Sequence, residues 1–387
     1  MRIVRLANFV TPRSGGLRTA LRNLGEGYHA AGHEPVLVVP GAEAGDRMEG
    51  SDRVITLPGP VVPKTGGYRV LTGRRRLTRL LDELAPDRLE VNDRSTLRWT
   101  GRWARANGVP SVMVSHESLA GLLRVWGAPG GLGDRLADRL NARTAEVYDR
   151  VVCTTDWAAA EFRRLGTPNL HQVPLGVDLV TFDPSRRKPE VRARYARDDE
   201  VLLVHCSRLS PEKRPELAVD ALAALRAAGV PAVLVVVGDG PRRPALAYRA
   251  ARLPVHFAGF LSGREAVAEI LASADVVIAP GPVETFGLAG LEALACGTPV
   301  VVNAASALPE VVGAAGAAAA GTGEAFAEAV QEVLARPEEG RRAAARARAE
   351  EFGWPAAVDG FLRAHGAAPS PADVAAGPAA LERVAGR

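Results

Sequence analysis

Cysteine is nearly absent from this 387-residue chain: Cys153, Cys206 and Cys296 stand alone, with neither disulfide nor metal spacing. That excludes a disulfide-stapled scaffold and a cysteine-ligated metal fold, and it leads us to expect a cytoplasmic protein. Lysine is scarcer still for a basic residue, with Lys64, Lys188 and Lys213 the three among 48 Lys and Arg. The bias toward arginine, alanine, glycine and proline is that of a GC-rich genome. A formal charge of +4 is small for this length, so no nucleic-acid partner is expected. No apolar run approaches the length of a membrane-spanning helix. The opening residues MRIVRLANFV form a first strand, too short and wrongly flanked for a signal peptide. GxSxG, P-loop and HExxH patterns are missing, as is any Asp-x-Asp pair to hold a metal-bridged diphosphate. A metal is therefore not expected, nor any other cofactor.

What the chain does contain is a repeated alternation of apolar strands and amphipathic helices, the pattern of parallel α/β sheets. A helix over 17–31 places Leu17, Ala20, Leu21, Leu24, Tyr28 and Ala31 on one face. Strands EPVLVVP, VITLP, DRLEV, PSVMVS and RVVCTT follow, with helices over 74–84, 97–107 and 156–165. The Pro-rich segment HQVPLGVDLVTFDPS reads as an interdomain connection. A second series then runs VLLVHCS, helix 215–228, AVLVVVG, VHFAGF, DVVIAP and TPVVV. The length calls for two domains, and two doubly wound units of similar size supply them. After Trp354-Pro355 comes a last helix. Beyond about residue 364 the chain turns Ala-, Pro- and Gly-rich, a composition expected to be poorly ordered.

Four strand–helix turns suit an anion. Ser14-Gly15-Gly16 follows the first strand, where glycine lets a phosphate approach backbone N–H groups. SRLSPEKRP places Arg208, Lys213 and Arg214 just before a helix opened by Pro215, a poor position for cations unless a diphosphate sits there. Gly238-Asp239-Gly240 lacks the third glycine of a dinucleotide fingerprint, with Arg243 in its place, which disfavours a nicotinamide enzyme. The fourth turn, in PGPVETFGLAGLEALACGTPVV, sets Glu284 at a helix tip and Glu292 about one and a half turns in, with Gly297 ending the helix. Two carboxylates beside an anion site suit polyol hydroxyls flanking a phosphate, which describes a nucleotide sugar. His116 ends a strand of the first half, at the edge where doubly wound sheets place ligands.

In this order, these residues resemble glycosyltransferase family 4, retaining enzymes of the GT-B fold. The resemblance runs through SGGLRTAL, AGHEPVLV, PLGVDLVTF, SRLSPEKRPELAVDAL, VVVGDGP, FAGFL and the Glu-x7-Glu block. It implies an acceptor-binding Rossmann-like domain over 1–175, joined by a returning helix within 355–387, and a donor-binding domain over 176–354. The two would face a central cleft. Gly16 would offer its N–H to the donor β-phosphate, and Arg208 and Lys213 would hold the diphosphate in place of a metal. Glu292 would bind ribose, and Glu284 the hexose, beside Thr285 and the N–H groups of Phe286, Gly287 and Leu288. Gly238 would line the donor site. His116 would contact the sugar at the reacting centre, and Gly259 and Phe260 the base. Tyr68 and Arg69 are candidates for acceptor contact. Two positions depart from the pattern: NAASALPEVV before Glu310 lacks the usual glycines, and Arg214 stands where glycine is common.

Overall the chain looks most like actinobacterial mannosyltransferases, including those that modify phosphatidylinositol. That makes GDP-mannose the leading donor and a lipid hydroxyl the leading acceptor. A UDP-GlcNAc or UDP-glucose transferase with a soluble acceptor shares every motif and stays open. A GT-B epimerase or phosphorylase is disfavoured by the intact Glu-x7-Glu pattern and the lack of a cofactor-lysine segment. A non-catalytic binder is disfavoured by the presence of both acids and both cations. The arginine cluster Arg74, Arg75, Arg76 and Arg79, with Leu122, Leu123, Val125 and Trp126 after His116, is a candidate surface for an anionic lipid or the inner membrane face.

Overall fold

The computed structural model describes residues 1–10, 15–63, 67–125 and 130–367. Ser14, Lys64, the side chain of Val125, Trp126 and the tail beyond 367 lie outside the described residues. The first sheet contains β1 (Arg2–Leu6), β2 (Glu34–Gly41), β3 (Gly45–Glu49), β4 (Asp52–Pro58), β5 (Arg88–Val91), β6 (Ser111–Ser115), β7 (Arg150–Cys153) and β8 (Leu170–Gln172). Their spatial order is β3-β4-β2-β1-β5-β6-β7-β8. The second sheet holds β9 (Val201–Cys206), β10 (Ala232–Val237), β11 (Val255–Gly259), β12 (Val276–Ala279), β13 (Val300–Asn303) and β14 (Ala317–Ala319), ordered β11-β10-β9-β12-β13-β14. Strand order reverses between β1 and β5 in one sheet and between β9 and β12 in the other. Those two switch points are where open α/β sheets leave a crevice beyond their carboxyl ends.

Every pairing between these strands is parallel except β3 with β4, which is antiparallel from Gly45↔Thr56 to Glu49↔Asp52. β3 is GDRME and exposed along its whole length, so it carries no alternating signal to announce a strand. Its charges suit an edge position. Both sheets read as continuous apolar runs, as sheets covered on two faces must; β10 (AVLVVV) is buried at all positions.

The last helix, Trp354–Ala364, returns to the first sheet. Glycine permits the close approach: a Cβ at Gly27 of helix Gly16–Ala30 would lie 2.2 Å from Val358, and one at Gly360 2.5 Å from Val173. Arg88 donates to the carbonyl of His365 at 2.8 Å, and Arg150 to those of Arg363 and Ala364 at 2.6 and 2.7 Å. One apolar cluster runs from Leu24 and Val114 through Val177 and Phe182 to Leu291 and Phe361, so the two halves share a core.

Candidate active site

Arg208, Lys213, Glu284 and Glu292 collect at the second switch point, after β9 and β12. After β9, the backbone forms a single 3-10 turn, Pro211–Lys213, and then Arg214 adopts φ 48°, ψ 47° before helix Glu216–Ala227. That left-handed conformation explains why glycine suits the position. The turn aims Lys213 at the loop after β12, where its ammonium pairs with the Glu284 carboxylate. Arg208 pairs with Glu212, whose carboxylate also accepts from the Ser210 hydroxyl at 2.5 Å. Both cations are thus held by carboxylates that a diphosphate would have to displace or share.

Glu284 is not at the helix tip, as its spacing suggests. The helix begins at Leu288, with Gly287 at φ 75° as its N-cap, so Glu284 lies in the preceding turn and Glu292 in the second helical turn. Phe286 is drawn into the core against Phe352, ring centroids 5.9 Å apart, and this moves the start of the helix. No side chain caps the new start. Across the cleft, helix Gly16–Ala30 also begins without a side-chain cap, and a Cβ on Gly16 would sit 3.6 Å from Leu288. Two uncapped helix N-termini therefore approach one another beside Arg208 and Lys213, a strongly anion-attracting arrangement.

Glu292 lies deeper. Burial pushes its carboxyl up to about 7, Arg264 at 3.7 Å opposes that, and nearby Asp178 adds to it. Gly259 has φ 71° at the end of β11, and Phe260 beside it is a large exposed hydrophobic, available to a flat ring. Gly238 is held differently from the other turn glycines. Its N–H donates to Gly259 at 2.8 Å, and a Cβ there would lie 2.0 Å from the Ser207 carbonyl. Its need for glycine comes from loop packing, and its N–H is not free for a phosphate.

On the facing wall, His116 follows β6 and its Nε2 lies 2.7 Å from Asn92 Oδ1. Burial drives its ring down to about 4, so it is neutral at physiological pH. Buried Glu161 steadies the loop behind it, accepting from Ser118 at 2.5 Å and from the N–H of Ala120 at 3.2 Å. Tyr68 comes from the first half but meets a donor-side cation: the Arg208 guanidinium lies 4.9 Å from its ring centroid. Arg69 instead donates to the Gly59 carbonyl at 2.6 Å.

Further contacts cross the cleft and had no sequence signal. Thr285 donates to the His116 carbonyl at 2.7 Å, and its own carbonyl accepts from Thr155 at 2.8 Å. Glu310 accepts from the N–H groups of Asp156 and Trp157 at 2.8 and 3.2 Å, capping a helix of the opposite half. Among the described residues, no group of three or more His, Cys, Asp or Glu side chains is placed to hold a metal.

A cleft between two parallel α/β units, with an anion-attracting centre and a polyol-suited carboxylate, defines a GT-B glycosyltransferase. Two family models match the chain: Glycosyl transferase 4-like domain over residues 15–176, and Glycosyl transferases group 1 over residues 187–350. The chain is 53% identical over 373 residues to the GDP-mannose-dependent alpha-(1-6)-phosphatidylinositol dimannoside mannosyltransferase of Mycobacterium tuberculosis, covering 95% of this chain and 96% of that protein. It is 30% identical over 306 residues to a GDP-mannose-dependent alpha-mannosyltransferase of the same organism, 78% of each chain. Among solved structures, a sucrose-phosphate synthase from Thermosynechococcus elongatus superposes with a TM-score of 0.75 at 21% identity, over 94% of this chain and 97% of that one, a likeness of fold. The chain belongs to glycosyltransferase family 4 and is an enzyme of that family.

Proposed function

We propose that this enzyme transfers mannose from GDP-mannose to a hydroxyl of a phosphatidylinositol mannoside, with retention at the anomeric carbon. The observation that carries the donor chemistry is Lys213 paired with Glu284 just before the uncapped helix start at Leu288, against which the uncapped start at Gly16 packs. The choice of sugar and lipid rests on the 53% identity to the mycobacterial enzyme. In this reading residues 1–175 with the returning helix take the acceptor, and residues 176–354 take the donor.

The diphosphate sits between the Gly16 and Leu288 helix starts and engages Arg208 and Lys213. These cations stabilise the departing GDP, so no metal is required. Glu292 accepts from ribose hydroxyls, Glu284 from the hexose, and Phe260 covers the base. The bond from the anomeric carbon to phosphate oxygen breaks as the acceptor oxygen bonds to the same face. The acceptor proton passes to the leaving phosphate.

The acceptor is a lipid, so the enzyme is proposed to work at a membrane surface. No described helix is long and apolar enough to cross one. Arg74, Arg75, Arg76 and Arg79 are exposed on and around helix Arg74–Leu84, whose other face buries Leu77, Leu81 and Leu84. This basic face suits anionic headgroups. Binding to anionic liposomes that survives replacement of the four arginines by serine rules that face out.

Nucleotide release is the direct test, with GDP-mannose, UDP-glucose and UDP-GlcNAc as donors, with and without phosphatidylinositol dimannoside. We expect GDP release that requires GDP-mannose and rises with the lipid, and an α-configured product by NMR. Release from a UDP-sugar alone overturns the donor assignment; an inverted product overturns the mechanism.

A further inference from the structure

Glu90 belongs to no motif and takes no part in the proposed chemistry, yet it is the hub of a fully buried polar network. It projects from β5 with no measurable exposure. Its Oε2 accepts from the Tyr28 hydroxyl at 2.8 Å and lies 3.1 Å from His365 Nε2, beyond the end of the returning helix. Its Oε1 accepts from Asn92 Nδ2 at 3.0 Å. Burial alone would raise this carboxyl, but the His365 hydrogen bond and the charges of His365 and Arg5 pull it down to about 2. Glu90 is therefore an anion at any physiological pH, and an ionised carboxylate only accepts.

This fixes the next two residues in turn. Asn92 must direct its NH2 at Glu90, which leaves its carbonyl oxygen facing His116 Nε2 at 2.7 Å. An amide oxygen also only accepts, so the single proton of the neutral imidazole resides on Nε2. Nδ1 is left as a lone-pair acceptor, with no hydrogen bond to any described residue.

We propose that Glu90 and Asn92 are positioning residues that lock His116 as the Nε2–H tautomer, so that Nδ1 accepts a hydrogen bond from a hydroxyl of the bound donor sugar. The inference rests on the transferase reading for its sugar, while the tautomer lock rests on the hydrogen bonds joining Glu90, Asn92 and His116 together with an ionised Glu90 and a neutral His116. With the opposite proton placement Nδ1 would donate instead, reversing the sense of its contact with the sugar hydroxyl. The network reaches this point from three distant elements, helix Gly16–Ala30, β5 and the returning helix, so tautomer choice depends on their correct assembly.

The test is 15N NMR of the full-length protein labelled at histidine, with the His116 signals identified by their loss in His116→Ala. Wild type is expected to show Nε2 protonated and Nδ1 unprotonated. Asn92→Ala should give mixed tautomers and a kcat/KM for GDP-mannose lowered roughly tenfold, the loss of about one hydrogen bond. Glu90→Gln lets the Asn92 amide reverse and should move the proton toward Nδ1, and it serves alone if Asn92→Ala does not fold. Tyr28→Phe removes a partner of Glu90 without touching Asn92, so it should lower thermal stability while the tautomer stays. A wild-type His116 protonated on Nδ1, or an unchanged tautomer in the Asn92 and Glu90 variants, overturns the proposal. If GDP-mannose is no substrate, the function reading fails, yet the tautomer result still decides the lock.

Discussion

Lowering the pH from 8 to 6 is expected to weaken donor binding through one residue, Glu292. Burial holds its carboxyl at about 7. The ionised fraction then falls from about 0.9 at pH 8 to about 0.1 at pH 6. A ribose that binds the carboxylate alone sees its KM rise by about tenfold, close to 1.4 kcal/mol. A protonated acid keeps one accepting oxygen, so tenfold is a ceiling. Two other buried groups lie outside the window: burial drives His116 down to about 4 and Cys206 up to about 12. The diphosphate of the donor is fully ionised throughout. The assay is donor KM by GDP release at saturating acceptor, at half-unit steps across this range, for wild type and Glu292→Gln. Wild type should show the rise and the glutamine variant a flat line.

The same shift has a stability consequence of opposite sense to that of a salt-bridged carboxylate. A folded value raised above 4.5 means that the native state holds the proton more tightly than the unfolded chain. The contribution is intact below pH 4.5 and is lost as pH rises through 7, a cost of about 3 kcal/mol at most. Glu292→Gln should therefore melt higher than wild type at pH 8 and lose that advantage toward pH 5. A KM independent of pH in wild type, or an identical slope in the glutamine variant, refutes the reasoning.

Lys213→Ala removes the cation beside the leaving phosphate and leaves Glu284 unpaired; kcat should fall about 10²–10³-fold, and a loss under threefold in steady-state rates denies Lys213 its role. Glu310→Ala removes the acceptor of the first two N–H groups of helix Asp156–Arg163 across the cleft while Thr155 still caps it, and should cost about 0.5 kcal/mol, seen as a melting point lower by about 1 °C. Unchanged melting would mean that the contact is not held in solution. Arg214→Gly relieves a left-handed backbone worth about 1 kcal/mol while losing an ion pair to Glu216, so its stability in urea should match wild type. Arg214→Ala keeps the strain, loses the pair, and should be the less stable of the two.

The broad architecture was legible because its strands are apolar runs and its helices carry apolar faces at the right period. The helix over 74–84 and the strand after Pro35 are both of this kind. What stayed hidden depended on distant partners. β3 is a strand because β4 offers it an edge, and nothing in GDRME declares that. The helix after β12 starts late because Phe286 finds Phe352, sixty-six residues further on. Tyr68 was a candidate for the acceptor, yet its ring lies against Arg208 of the opposite half. Glu90 and Asn92 sit in an ordinary strand and turn, and their meaning comes from Tyr28 and His365, which no local spacing connects. By contrast, Arg214 was visible as a departure in the sequence, and the left-handed backbone gives its cause.

The chain passes between its halves twice, once near Val177 and again near Gly353, and the two passages touch: Val177 donates to the Phe352 carbonyl at 2.8 Å. A single tether would let the lobes twist and slide in several directions. Two parallel tethers fastened side by side act as the paired knuckles of a door, leaving rotation about one line as the easy motion. A rotation of that kind would carry Lys213 and Glu284 past His116 and would have to break the hydrogen bond from Thr285 to the His116 carbonyl. Cutting either tether alone leaves the lobes joined by the other.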